Sequence, residues 1–127
     1  PYVAAALAGD NRSLAAPASV HTVSTCAGQE DHISMGVSAA RKAMQAVANA
    51  VDIVAIELLC ACQAIEFHRP LRAAVGTELT LSLVRQQVAF RETDTPLYTD
   101  MHAVRDLISG GELSRQLVLL MQEGADE

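Results

Sequence analysis

The stretch that decides the fold runs from residue 34 to residue 68 and reads SMGVSAARKAMQAVANAVDIVAIELLCACQAIEFH. After Gly36 it contains no glycine or proline until Pro70, and helix-forming residues dominate it. Apolar residues recur with the i, i+3, i+4, i+7 spacing of a buried helical stripe, at positions 44, 47, 51, 54, 58, 62 and 65. The opposite side is also largely apolar, so we predict one long helix over residues 34–69 that is covered on most sides. At about 1.5 Å per residue it would be roughly 50 Å long, a length typical of large helical bundles.

Shorter helices are predicted on both sides of this one. Residues 2–8 are expected to form a helix that Gly9-Asp10-Asn11 ends, and residues 10–31 a loop in which Val20 to Thr25 could be extended. After Pro70 we expect helices over 77–90, from Thr99 or Asp100 as cap to 108, and over 112–122. The predicted class is therefore all-α, a long central helix with shorter antiparallel helices, divided as 1–33, 34–69 and 70–127.

Composition limits the partners. Half of the residues are hydrophobic but only 3% are aromatic, and 19% are charged, below the usual quarter for a soluble domain, so we expect other polypeptide to cover part of the surface. The net charge of −6 argues against nucleic acid and against an anionic membrane surface. Glu57 and Gln63 interrupt the best apolar run, so no membrane span is expected. Three cysteines without metal-ligand spacing predict reduced thiols, no metal site and a cytoplasmic location.

A polar segment precedes the long helix and reads STCAGQEDHIS over residues 24–34. Asp31 or Ser34 is suited to capping that helix. Gln29 and Glu30 come before the cap, where the positive end of a helix favours an anionic group, and an amide beside a carboxylate could hold an ammonium or an imidazole N–H. For His32 a local structural hydrogen bond is the favoured reading, and His21 is equally suited to loop packing and to lining a pocket.

Several ordered motifs carry a family resemblance: residues 17–20 (PASV), 29–32 (QEDH), 34–36 (SMG), 39–43 (AARKA), 56–59 (IELL), 63–64 (QA) and 69–71 (RPL). With them the chain resembles the C-terminal part of the aromatic amino acid ammonia-lyases, and within that family the histidine ammonia-lyases. The resemblance is strong from about residue 17 to 71 and fainter to about 110. Two positions depart from the family pattern, Gly28 where Asn is common and Val20-His21-Thr22 where Val-Asp-Ser is usual.

The resemblance implies a larger helical-bundle enzyme that eliminates ammonia from an α-amino acid, with urocanate as the product from histidine, as in histidine catabolism. It implies Glu30 as a catalytic and substrate-binding residue and Gln29 as its substrate-binding neighbour, because tyrosine and phenylalanine ammonia-lyases usually carry Gln where Glu30 stands. The family's electrophile is a methylidene-imidazolone (MIO) made from Ala-Ser-Gly, which these 127 residues lack. The implied partners are the remainder of the polypeptide, a homotetramer and an amino acid substrate, and this fragment alone is expected to be inactive. A tyrosine or phenylalanine ammonia-lyase, an aminomutase and a non-catalytic helical assembly module stay open as alternatives.

Overall fold

Five α-helices make up the chain in this computed structural model, which describes residues 1–124. They are α1 (Tyr2–Leu14), α2 (Gly36–Glu66), α3 (Val75–Gln87), α4 (Tyr98–Ser109) and α5 (Glu112–Glu123). Two short 3-10 turns, Ala18–His21 and Cys26–Gly28, lie between α1 and α2. Over residues 1–124 the only strand-like pairing is one isolated bridge, so the all-α prediction with one long helix is confirmed.

The long helix α2 contains 31 residues, about 46 Å at the usual rise. At its start the backbone N–H of Gly36 donates to Ser34 Oγ at 3.3 Å, so Ser34 satisfies one of the free donors, as its position before the helix indicated. Asp31 does not reach the helix, because its carboxylate accepts a hydrogen bond from the Ser24 hydroxyl instead. The helix ends at Glu66, where the chain turns towards Pro70.

Residues Pro1–Ala50 form one compact unit, in which amide side chains join α1 to the first half of α2. Asn49 is only 4% exposed; its Nδ2 donates to Asn11 Oδ1 at 2.9 Å and its Oδ1 accepts from Gln45 Nε2 at 2.8 Å. Asn11 Nδ2 in turn donates to the carbonyl of Ala46. Every buried amide group of Asn49 thereby has a partner, which a buried polar side chain requires.

The prediction that α1 ends at Gly9-Asp10-Asn11 was wrong, because the helix continues to Leu14. One glycine inside a helix costs only about 1 kcal/mol relative to alanine. The side-chain amide of Asn11 forms its hydrogen bonds to α2 while residue 11 is in helical conformation. These hydrogen bonds favour continuation of α1 through residue 11.

A second compact unit begins at Val51 and holds the hydrophobic core. In this unit α3, α4 and α5 all contact one another. The second half of α2 contributes buried residues spaced four and three apart, as one helical face requires. The core consists of Ala55, Leu59, Cys62, Leu81, Val84, Val88 and Val104.

The predicted buried stripe on α2 is confirmed in its second half, where Cys62 is buried and Leu58 and Ile65 pack against the core. It is not buried among residues 1–124 at Met44, Val47 and Val54, which are 73%, 64% and 50% exposed. Both faces of α2 are apolar, so periodicity alone could not tell which face the other helices of this chain cover. The apolar side chains left exposed on α2 have no cover among residues 1–124.

The expectation of no membrane-spanning stretch was too strict. By length and composition alone, α2 is apolar enough to cross a bilayer. A core helix of a large helical protein has the same length and composition, so this property is weak evidence for a membrane.

Candidate functional site

The polar segment before α2 folds back on itself as a narrow hairpin over residues 22–33. Its two arms pair at one point: the N–H of Thr25 donates to the carbonyl of Glu30 at 2.9 Å, and the N–H of Glu30 donates to the carbonyl of Thr25 at 3.4 Å. Four residues, Cys26 to Gln29, form the tip between them. The hairpin brings Glu30 opposite Thr25, a juxtaposition that sequence reasoning did not predict.

Hydroxyl side chains on the first arm reinforce this pairing. Thr22 Oγ1 accepts from the N–H of Ile33 at 2.9 Å and donates to the carbonyl of the same residue at 3.0 Å. Ser24 Oγ donates to Asp31 Oδ1 at 3.0 Å, and Thr25 Oγ1 donates to Glu30 Oε2 at 3.5 Å. The bonds of Thr22 to the backbone of Ile33 are of the kind that holds a loop in one conformation without a sheet.

The tip has a left-handed backbone. The φ angles are 55° at Cys26, 56° at Ala27 and 84° at Gly28. Gly and Asn are the residues that adopt this conformation with least strain, so Gly28 suits the tip. A Cβ at Gly28 would meet nothing within 4 Å, so residues 1–124 leave room there for a side chain.

The two residues singled out from the sequence lie side by side where the tip meets the second arm. Gln29 and Glu30 are both exposed, and none of the ion pairs among residues 1–124 involves Glu30. Thr25 supplies the hydrogen bond to its carboxylate. Neither residue lines any of the three cavities described within residues 1–124. The pocket that the resemblance implies around Glu30 is not among these three cavities.

The remaining titratable residues named from the sequence form no second site in the described part of the chain. His21 and His32 are exposed, and no cluster of potential metal ligands occurs over residues 1–124. Cys60 is exposed whereas Cys62 is buried, as expected for alternate residues on one helix. Burial raises the pKa of the Cys62 thiol, which makes it a poor nucleophile.

A cavity of about 440 Å³ lies in the second unit, beside the segment that joins α3 to α4. Gln63 holds that segment, with its Nε2 donating to the carbonyl of Arg91 at 2.6 Å. Arg91 in turn binds the buried carboxylate of Asp100 through three hydrogen bonds of 3.1–3.2 Å. Arg91 and Asp100 both line the cavity, and their charges compensate each other.

Comparison with known proteins gives the following relatives. The sequence model of the aromatic amino acid lyase family matches residues 1–86. A histidine ammonia-lyase of Symbiobacterium thermophilum is 47% identical over 112 residues, which cover 88% of this chain and 22% of that protein. Among solved structures, the histidine ammonia-lyase of Trypanosoma cruzi matches with a TM-score of 0.86 at 43% identity, covering 91% of this chain and 23% of that one. The tyrosine aminomutase of Streptomyces globisporus matches with a TM-score of 0.85 at 32% identity, covering 92% and 22%. The chain thus spans under a quarter of the length of these relatives.

Proposed function

The chain belongs to the aromatic amino acid lyase family, and from this premise we propose that it is the C-terminal portion of an ammonia-lyase that converts histidine to urocanate. The observation that carries the proposal is the carboxylate of Glu30, exposed next to the hairpin tip and outside every ion pair described for residues 1–124. A carboxylate that no cation neutralises is available to a substrate group. Glu30 is the catalytic and substrate-binding residue of the proposal.

The proposed role of Glu30 is to accept a hydrogen bond from the imidazole N–H of histidine. A charge-assisted hydrogen bond of this type is shorter and stronger than a neutral one. A phenyl ring offers no such donor and would leave the carboxylate desolvated without a partner, which costs free energy. The carboxylate therefore favours histidine over phenylalanine.

Gln29 is proposed as the neighbouring substrate-binding residue, with an amide that can both donate and accept. The family's methylidene-imidazolone supplies the electrophile for removal of the amino group. This chain has no Ala-Ser-Gly from which to form that group, so the electrophile belongs to the remainder of the polypeptide. An exposed amide and carboxylate at the edge of the hairpin are suited to lining a pocket that other polypeptide completes.

We also propose a homotetramer in the cytoplasm. The tetramer is supported by the low share of charged residues, 19%, and by an α2 helix whose apolar side chains are only partly covered over residues 1–124. A surface of this kind is suited to burial against further polypeptide of the same chain and of other subunits.

The test is Glu30→Gln in the full-length enzyme, with urocanate followed by its absorbance. We expect kcat/KM for histidine to fall about 10–100-fold, because a hydrogen bond to a charged group contributes roughly 1.5–3 kcal/mol. Glu123→Gln, an exposed carboxylate at the end of α5, is the matched control and should leave turnover unchanged. Near-normal turnover by Glu30→Gln would refute the role of Glu30. The 127-residue chain alone should show no turnover.

A tyrosine aminomutase is the second candidate, because the relative from Streptomyces globisporus superposes almost as well as the histidine ammonia-lyase. With tyrosine as substrate, an aminomutase gives β-tyrosine, whereas an ammonia-lyase gives coumarate. Chromatography of the products from histidine, tyrosine and phenylalanine separates these possibilities, and β-tyrosine as the main product would replace the first proposal. A product from none of the three would favour the non-catalytic assembly module.

A further inference from the structure

The hairpin over residues 22–33 contains a hydroxyl that the proposed function leaves without a role. Thr25 lies opposite Glu30 and meets it twice, through the backbone pair at 2.9 and 3.4 Å and through Oγ1, which donates to Glu30 Oε2 at 3.5 Å. The second oxygen of the carboxylate, Oε1, has no hydrogen bond among those described for residues 1–124. The two oxygens of Glu30 are thus in different environments.

A glutamate on an exposed loop has several rotatable bonds, and fixing its side chain costs conformational entropy. A hydroxyl that binds one oxygen offsets part of this cost before the substrate arrives. The distance of 3.5 Å is long for an O–H···O bond, so Thr25 orients the carboxylate only loosely in this structure. Hydrogen bonds of catalytic groups are often long in the free protein and shorten when substrate binds.

We propose that Thr25 is a positioning residue, whose hydroxyl holds Oε2 of Glu30 and leaves Oε1 for the polar side chain of the substrate; this rests on the proposed function. The left-handed tip supports the arrangement. With positive φ at Cys26, Ala27 and Gly28, the chain reverses within four residues and brings residue 30 back opposite residue 25. The other hydroxyl bonds, those of Thr22 and Ser24, hold the arms without touching Glu30.

The experiment compares Thr25→Val, which keeps the shape but removes the hydroxyl, with Thr25→Ser, which keeps the hydroxyl, in the full-length enzyme. Thr25→Val is expected to lower kcat about tenfold, since a small displacement of a reacting group costs one to two orders of magnitude. Its KM and unfolding temperature should change little, and Thr25→Ser should retain kcat within about twofold. Ser24→Ala removes the adjacent hydroxyl bond and is the matched control, with wild-type kcat expected.

An unchanged kcat in Thr25→Val overturns the proposal. So does an equal loss in Ser24→Ala, because that result points to general loosening of the hairpin. In a Glu30→Ala background, Thr25→Val should cause no further loss, whereas an additive loss shows that Thr25 acts independently of Glu30 and also overturns the proposal.

The outcome for Thr25 can be separated from the outcome for the substrate. If the wild-type enzyme turns over tyrosine and not histidine, the proposed substrate is wrong, and the same variants measured with tyrosine still decide the role of Thr25. Crystal structures of the wild type and of Thr25→Val give a readout independent of activity. The Glu30 carboxylate should lie beside residue 25 in the first and be displaced or disordered in the second; the same position in both refutes positioning.

Discussion

At the scale of single residues, the tip of the hairpin stores local strain. Ala27 has φ 56° and ψ 37°, a left-handed conformation that costs an L-amino acid roughly 1–2 kcal/mol. Ala27→Gly should therefore stabilise the chain by about 0.5–1 kcal/mol after the larger entropy of glycine in the unfolded state is subtracted. The same exchange at Ala48, which is helical and exposed, should destabilise it by about 0.5–1 kcal/mol. Urea unfolding of both variants measures the two signs, and destabilisation by both would contradict the strain at Ala27.

Glu78 gives a prediction for acid stability. Its two carboxylate oxygens accept from Arg69 Nη1 and Nη2 at 2.8 and 2.9 Å, and Oε1 also accepts from the N–H of Ala73 at 2.8 Å. These bonds, that of Arg69 first, lower the pKa of Glu78 from its ordinary value to about 2. A lowered folded-state pKa contributes stability that is complete above the unfolded pKa near 4.5 and is lost as the pH falls towards 2.

Glu78→Gln should remove this part of the pH dependence. The unfolding temperature of the variant is expected to be lower than that of the wild type at pH 6, and the two should converge between pH 4.5 and 2. The same pH series on Glu112→Gln gives a comparison with Glu78→Gln. Gln116 and Arg115 lower the pKa of Glu112 as well, in an exposed helical turn. Parallel curves for wild type and Glu78→Gln down to pH 2 would contradict the assignment.

The candidate site could be predicted from the sequence only in part. The concentration of Gln29, Glu30, Asp31 and His32 before a helix was visible in the sequence, and so was the resemblance that points to Glu30. The hairpin could not be predicted from the sequence, because its tip has positive φ at Cys26 and Ala27. Cysteine and alanine seldom adopt positive φ, so these residue types do not indicate a left-handed turn. The pairing of Thr25 with Glu30 follows from that backbone and so required coordinates.

At the scale of elements, one ion pair fixes the segment between α3 and α4. Asp100 is 6% exposed, and its carboxylate accepts hydrogen bonds from the guanidinium of Arg91. Arg91→Ala therefore leaves a nearly buried charge without its partner. We expect a loss of about 2–3 kcal/mol, below the 3–5 kcal/mol typical of fully buried pairs, because the side chain of Arg91 is itself 42% exposed.

The matched control for this variant is Arg115→Ala. Arg115 pairs with Glu112 on α5 at 2.7 Å, but the two side chains are 67% and 41% exposed, and exposed pairs contribute only about 0–1 kcal/mol. Denaturant unfolding monitored by circular dichroism measures both losses. Equal losses in the two variants would show that the burial of Asp100 does not determine the strength of the pair.

The same ion pair explains an error about an element boundary. Thr99 or Asp100 was expected to cap α4, but the helix begins at Tyr98 without a side-chain cap, and Asp100 lies in its first turn. Short polar residues before an apolar run are typical of helix caps. The carboxylate of Asp100 instead forms an ion pair with Arg91, nine residues earlier, and only the structure shows this contact. The existence and type of the helices after Pro70 followed from periodicity and breakers, whereas their ends depended on such tertiary contacts.

At the scale of the whole molecule, the chain supplies one edge of the proposed site and a long helix with more apolar surface than it can cover. Glu30 and Gln29 are exposed, and so are several apolar side chains of α2. The relatives that the chain matches are about four times as long. The sequence predicted this incompleteness through its low charged fraction and doubly apolar helix, but not which side of α2 would stay exposed.

The exposed side of α2 gives a prediction for the isolated chain and another for the full-length enzyme. Charged substitutions there should improve the solution behaviour of the first and destabilise the second. Met44 and Val47 are 73% and 64% exposed here, so the isolated 127-residue chain should self-associate in light-scattering measurements, and Met44→Lys with Val47→Lys should reduce the association. In the full-length enzyme the same double variant should lower the unfolding temperature, because it places two charges where further polypeptide is expected to pack. Ala48→Lys, which removes little apolar area, should leave association of the isolated chain nearly unchanged. A double variant that leaves the full-length enzyme as stable as the wild type would show that this face of α2 remains in solvent.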